Sequence, residues 1–179
     1  MRALPEAAPG DTSARGATAR VVAALREAGA AGRVLELEAS TRTAADAAAA
    51  LGCRVAAIAN SLIFVADGTA VLVLTSGAHR VDTSYLAAAM GWSELRRATP
   101  EEVRAATGQV VGGVAPLGHP EPLEALIDED LASEQRIWAA AGSPHAVFET
   151  TFEELSRLAG ARRVRVAGEG SATRGGAEA

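Results

Sequence analysis

Two apolar runs, residues 56–66 and 70–75, flank the dipeptide Asp67-Gly68, and this pattern restricts the fold more than any other. Asp-Gly favours the positive backbone angles of a two-residue turn whose twist matches that of paired strands, so a β-hairpin is expected here.

Around it, the periodicity changes to that of helices. Val21, Val22 and Leu25 recur at helical spacing between residues 18 and 28, and a second helix is expected from about Thr43 to the stop at Gly52. Ser40 or Thr41 would cap it. Thr83 would cap a helix running to Met90 and closed by Gly91. Thr99-Pro100-Glu101-Glu102 is a sharper start, with Thr99 as cap, proline in the first helical position and Glu102 placed for a capping box. Thr151 and Glu154 repeat that signature ahead of a helix over residues 152–158. Short strands are expected at 34–37, 123–127, 146–149 and, at an edge, 164–166; residues 134–140 read as strand or a turn of helix.

The sum is a mixed α+β (α/β) single domain over residues 16–167. Residues 1–15 are expected to be a flexible lead-in and residues 168–179 a disordered Gly/Ser/Ala/Glu tail. A length of 179 residues fits one domain, and an apolar fraction of 49% suffices for a core, although aromatics are only 3%. Close packing of Ala, Val and Leu must do the work of large rings.

Arginine supplies all 17 positive charges, and the net charge of −5 argues against a broad basic face for duplex DNA. It leaves room for a local contact with one nucleotide end. No apolar run approaches a membrane span, and no signal peptide opens the chain, so no membrane partner is expected. Cys53 is the lone cysteine, which forbids an intrachain disulfide and suits a cytoplasmic home. It reads as a small core residue before a nucleophile. His79, His119 and His145 show no metal-ligand spacing, so neither metal nor cofactor is expected.

The chemistry-bearing candidate is the stretch from Thr107 to His119, in which four glycines and Pro116 surround apolar residues. Such a loop can meet a small group with peptide N–H and C=O groups; its other reading is a buried turn. Gly112-Gly113 is the centre of that candidate. The order of glycines matches neither a Walker loop nor a dinucleotide fingerprint, and the chain has no lysine to serve the former. His119, between Gly118 and Pro120, could do acid–base work or simply sit in a loop, and His145 after Gly142-Ser143-Pro144 is equivalent. His79 reads as a turn residue. Asp128 ends an apolar run, where a carboxylate either finds a specific partner or caps a turn. Ser40 and Ser61 lack the glycine-flanked elbow of a serine nucleophile.

Taken in order, these pieces resemble the YbaK/EbsC family, the prolyl-tRNA synthetase-associated or aminoacyl-tRNA deacylase domain. The resemblance runs from about Ser40 to Ala167. It is carried by Ser40-Thr41-Arg42-Thr43-Ala44, Ile58-Ala59-Asn60-Ser61-Leu62-Ile63-Phe64, Gly77 through Asp82, Thr107-Gly108, Gly112 through His119, Ile127-Asp128, and Ala139 through Gly142 with His145. It implies a mixed sheet or partial barrel, flanked by helices, around a central pocket. The implied activity is hydrolysis of the ester joining a small wrong amino acid (Cys, Ala or Ser) to tRNA. Asn60, Gly112 and Gly113 would then do the catalytic work, with Ser40, Thr41, Ser61, Pro116, His119, Asp128 and His145 binding substrate. The implied partners are the acceptor end of aminoacyl-tRNA and an aminoacyl-tRNA synthetase. One departure stands out: Asn60 occupies the place of the family lysine, a neutral amide for a cation. Two other readings remain open at this level, a non-catalytic module binding aminoacyl-tRNA or an amino-acid-like ligand, and a hydrolase of another small acyl ester.

Overall fold

In the computed structural model, which describes residues 12–37 and 43–168, the hairpin forms the middle of the molecule. Strands β2 (Ile58–Ala66) and β3 (Thr69–Ser76) pair antiparallel along their full length. Asp67 (φ 46°) and Gly68 (φ 85°) both take positive φ, as a twisted two-residue turn requires. Asp67 is held there by its carboxylate, which accepts from the N–H groups of Ser93 and Glu94 at 3.1 and 2.8 Å. Those bonds deliver the chain into a short strand that the sequence pattern did not reveal, β4 (Leu95–Arg97), paired antiparallel with the end of β2.

The remaining strands extend the sheet in both directions. On one side β5 (Glu124–Asp128) joins β3 in parallel, and β8 (Arg162–Val164) joins β5 in parallel as the edge. On the other, β6 (Ile137–Ala140) runs parallel to the start of β2, followed by antiparallel β7 (Ala146–Thr150) and β1 (Val34–Glu36). The order is β1-β7-β6-β2-β3-β5-β8, with β4 off this path against β2. This is the expected mixed α/β single-domain architecture.

Five helices cover the sheet: α1 (Thr12–Glu27), α2 (Ala44–Leu51), α3 (Thr83–Met90), α4 (Pro100–Thr107) and α5 (Phe152–Ala159). Both faces of the hairpin are buried. Ala59 and Ile63 of β2 enter one core with Val21 and Leu25 of α1, Val103 of α4 and Leu155 of α5. Phe64 and Ala66 enter a second core with Leu86 of α3 and Val166. Ala47 and Ala48 of α2 pack on Ile58 in a third. Each fully buried Leu or Phe contributes roughly 1.5–3 kcal/mol of hydrophobic stabilisation.

Several boundaries move for physical reasons. α1 begins at Thr12, and its buried stripe is Ala17, Val21 and Leu25, with Val22 only half-buried; an alanine in the stripe and polar neighbours hide the first turns. Thr43 itself caps α2 in a reciprocal box with Asp46, in place of Ser40 or Thr41, which lie outside the described residues. Asp82, not Thr83, caps α3 by accepting from the Tyr85 N–H. Residues 137–140 are strand. The edge strand stops at Val164, and Val166 instead enters the α3 core while its C=O receives the Asp82 N–H. Glu154 does not close its capping box: its carboxylate accepts from Ala31 N–H and Thr150 Oγ1 at 2.9 and 2.7 Å, tying α5 to the chain ahead of β1. No helix among the described residues is long and apolar enough to cross a membrane.

Candidate functional site

One edge of β2 is shared by two short strands. β6 covers Ile58 and Ala59, β4 covers Phe64 to Ala66, and Ala98 donates its N–H to the Ile63 C=O at 3.1 Å. The register of neither strand reaches Ser61. Main-chain groups alternate sides along a strand, so Ser61 turns its N–H and C=O toward the same edge as Ile63, into the interval between β6 and β4. Side chains alternate across the faces. Ser61 therefore shares the face of Ala59 and Ile63, while Asn60 shares that of Ile58 and Leu62.

A cavity of about 640 Å³ opens at this interval, and both residues line it. The Ser61 Oγ is buried with no hydrogen-bond partner, and the Asn60 amide is half-buried with no bond to any described residue. Small apolar side chains, among them Ala98, Val103, Val114 and Ala139, form much of the wall on the Ser61 side. Trp138, Ala44 and Ala47 line it on the Asn60 side, together with Thr43 at the start of α2. Arg80 and Arg97, both exposed, also line it, but among the described residues no carboxylate, histidine or cysteine does. The arrangement offers hydroxyls, an amide and main-chain groups, with no nucleophile–base pair.

The opposite wall is the glycine loop. α4 ends at Gly108 in the left-handed conformation, and Thr107 Oγ1 accepts the Gln109 N–H at 3.0 Å. Gln109 is almost fully buried; its Oε1 accepts the Ala115 N–H at 2.6 Å and its Nε2 donates to the Leu117 C=O at 3.4 Å, spanning the loop from inside. Gly112, at φ 86°, reaches the cavity beside Val111, a side chain 61% exposed. Gly113 packs directly on the next turn: a Cβ there would lie 2.6 Å from both Cα and C of Ser143. Only a residue without a side chain permits that approach.

The structure thus brings Asn60, Ser61 and Gly112 to one cavity, with Gly113 just behind its wall. It sets other expected site residues outside the cavity lining. Pro116 and His119 belong to the far limb of the loop, where the His119 Nε2–H donates to the Ala115 C=O at 2.9 Å. Burial pushes the His119 imidazole below its ordinary pKa, so the neutral ring is favoured in this brace. His145 is exposed, and its C=O receives the Leu37 N–H at 2.7 Å. Asp128, only 2% exposed, accepts from Thr75 Oγ1, Ser76 N–H and His79 Nδ1 at 3.2, 3.1 and 2.8 Å, and from the Asp130 N–H at 3.2 Å. It ties the end of β3 to the end of β5. His79 bridges Asp128 to Asp130, a grouping whose ligand atoms could meet around a cation, but both Asp128 oxygens already serve protein donors.

Sequence reasoning missed Arg80, Arg97, Trp138 and Ser143 as lining residues, and Gln109 as the loop's internal strut. None sits in a motif whose spacing announces a ligand. Arg80 at least lies within the Gly77–Asp82 stretch already singled out by resemblance.

Comparison with known proteins matches this architecture to a defined family. The model of the aminoacyl-tRNA editing domain matches residues 38–170. An uncharacterised protein of Bacillus subtilis, YwhH, is 33% identical over 126 residues, covering 70% of this chain and 80% of its own. A proline–tRNA ligase of Solidesulfovibrio magneticus is 36% identical over 104 residues, which are 58% of this chain but 18% of the ligase. Among solved structures, a proposed trans-editing enzyme for prolyl tRNA synthetase is 45% identical, with a TM-score of 0.77 over 88% of this chain and 98% of its own. With its cavity cut into the β2 edge and walled by the glycine loop, the chain belongs to the aminoacyl-tRNA editing domain family.

Proposed function

We propose that this protein hydrolyses the ester between a small amino acid and the 3′ end of a tRNA, acting on Cys-, Ala- or Ser-type charges. The observation that carries the reading is the interrupted β2 edge, where a buried, unpartnered Ser61 hydroxyl and a main-chain edge that the registers of β6 and β4 do not reach face a cavity of about 640 Å³. An orphaned buried polar group costs about 1–3 kcal/mol, which a substrate hydrogen bond can offset. The aminoacyl group would occupy the side walled by Ala98, Val103, Val114 and Ala139, whose close spacing limits side-chain volume. A single methylene is worth about 1–3 kcal/mol in such a pocket, so discrimination rests on size and stays moderate.

In the step itself, water adds to the ester carbonyl carbon, the bond to the ribose oxygen breaks, and that oxygen leaves with the water's proton. Gly112 and the Ser61 edge would hold the acyl carbonyl with main-chain groups, and Asn60 would hydrogen-bond the ester from the other face. The water is oriented by backbone groups and the substrate's own ribose hydroxyl; a cysteine substrate can use its thiol internally. Positioning rather than a strong base then supplies the acceleration, in keeping with a cavity whose described lining includes no carboxylate, histidine or cysteine. The partner would be the acceptor end of aminoacyl-tRNA in the cytoplasm. Likeness to a segment of proline–tRNA ligases supports association with a synthetase.

The test is direct. Purified protein added to Ala-, Ser- and Cys-charged tRNAs should accelerate ester loss for at least one of them, and a flat response across the panel would defeat the reading. Asn60 favours a second possibility, a binding module without turnover, because its neutral amide gives less electrostatic help than a lysine at that position. Asn60→Lys separates the two: a large gain from a silent wild type identifies a pocket that binds without turning over.

A further inference from the structure

Two arginines line the cavity mouth with no described carboxylate beside them. Most other arginines with a described partner sit against acids. Arg96 holds Glu102 through two bonds of 2.8 and 2.9 Å, Arg54 meets Glu134, Arg136 meets Glu149, and Arg163 and Arg165 share Glu129. Arg80 and Arg97 differ. Both are exposed, both line the cavity, and neither makes an ion pair with a described residue; the Arg97 guanidinium lies over the Phe64 ring, 5.8 Å from its centroid. Among the described residues, no aspartate or glutamate lines the same cavity. In a chain of net charge −5, the described residues thus give the mouth two cations and no anion.

We propose that Arg80 and Arg97 form a clamp for the phosphodiester backbone of the acylated RNA end, a role that rests on the deacylase reading. A guanidinium presents a planar fork of donors that fits phosphate oxygens, and it is always charged. Asn60, on the same wall, supplies hydrogen bonds but no charge. The stacking of Arg97 on Phe64 holds one fork in place without consuming its charge, so the group meets the ligand with less freedom to lose. The clamp is a positioning device: it acts on the backbone next to the ester and fixes the ester over Ser61 and Gly112. The same cations could take the carboxylate of a free amino acid, and the test separates these two anions.

Wild type, Arg80→Ala, Arg97→Ala, Arg80→Lys and the off-site control Arg136→Ala are compared for binding an uncharged RNA microhelix with a single-stranded 3′ end, over a salt series. The same proteins are assayed for hydrolysis of the charged microhelix and of a phosphate-free 3′-aminoacyl adenosine. Each alanine variant should weaken microhelix binding about threefold to tenfold and lower the log–log salt slope by about 1. Arg80→Lys and Arg136→Ala should keep the wild-type slope. KM for the charged microhelix should rise with kcat nearly unchanged, while the phosphate-free ester is hydrolysed as before. Unchanged binding and slope in both alanine variants overturn the clamp, as does an equal loss on the phosphate-free ester, which would assign the cations to the amino-acid part. An equal loss of slope in Arg136→Ala also overturns it, since the effect would then be non-specific. Arginine-dependent binding without hydrolysis by wild type would instead sink the deacylase reading and leave the clamp standing. Active hydrolysis with a slope indifferent to both arginines would do the reverse.

Discussion

The two walls of the cavity are built by opposite means. The glycine loop is closed on itself: Gln109 spans it, His119 braces the Ala115 carbonyl, and Gly113 lies against the Ser143–Pro144 backbone. The β2 wall is left open, with the Ser61 hydroxyl unpartnered and its main-chain edge uncovered by either neighbouring strand. One wall spends most of its polar groups within itself and brings Gly112 to the cavity; the other keeps polar groups unspent and is tied to β3 by eight residue pairings. Recognition needs both. Unspent donors are useful only when the surface facing them is fixed.

The loop wall should break hardest. In Gly113→Ala the new methyl group meets backbone atoms of Ser143 at 2.6 Å, which no rotamer can relieve, so one of the two turns must shift. Overpacking of this kind costs about 1–3 kcal/mol, and a displacement near 1 Å at a positioning wall should lower hydrolysis on the order of 100-fold. Thermal melting and single-turnover hydrolysis of a charged tRNA measure the two effects. Gly112→Ala should be milder, because its methyl would meet only Pro144 Cγ at 4.0 Å and the cost is confined to its positive φ. Equal losses in the two variants would mean that close approach to Ser143 is not what fixes the loop.

Ser61→Ala addresses the open wall and should uncouple activity from stability. Removing an unpartnered buried hydroxyl should leave the melting temperature unchanged or slightly raised, whereas hydrolysis should fall about tenfold with the loss of a substrate hydrogen bond. A parallel fall in both would show that the hydroxyl serves the fold instead.

The smallest effect concerns the loop brace and acid. His119 has its pKa lowered by burial, so the unfolded chain takes up a proton before the folded one as pH falls below the ordinary value of 6.5. The stability contributed by the neutral ring is complete above that value and is lost progressively as pH drops toward the folded pKa. Urea unfolding at pH 7.5 and 5.5 should show a decline that His119→Gln reduces. An unchanged decline in that variant would remove His119 from the acid response.

What could be read in advance follows how locally each feature is encoded. The Asp67-Gly68 turn and the Thr99 and Thr151 caps depend on a few adjacent residues, and all form. β4 escaped notice because Leu95-Arg96-Arg97 is too short to show alternation and exists only through pairing with β2. Asp128 and His119 stood out as chemically able residues next to special backbone. Their partners are set by folding: His79 lies 49 positions away from Asp128, and Ala115 presents a carbonyl only because the loop doubles back. The motif order led to Asn60, Ser61 and Gly112 at a common cavity, yet no local pattern marks Arg80, Arg97 or Trp138 as its neighbours.

The shared edge of β2 has one more implication. The width of the opening is set by where β6 stops and β4 starts, so it depends on strand length as much as on the side chains that line it. Extending either strand by one pairing would narrow the entrance without altering a single lining residue, and shortening one would widen it. Relatives with identical pockets could therefore accept amino acids of different size through small insertions or deletions in the flanking turns.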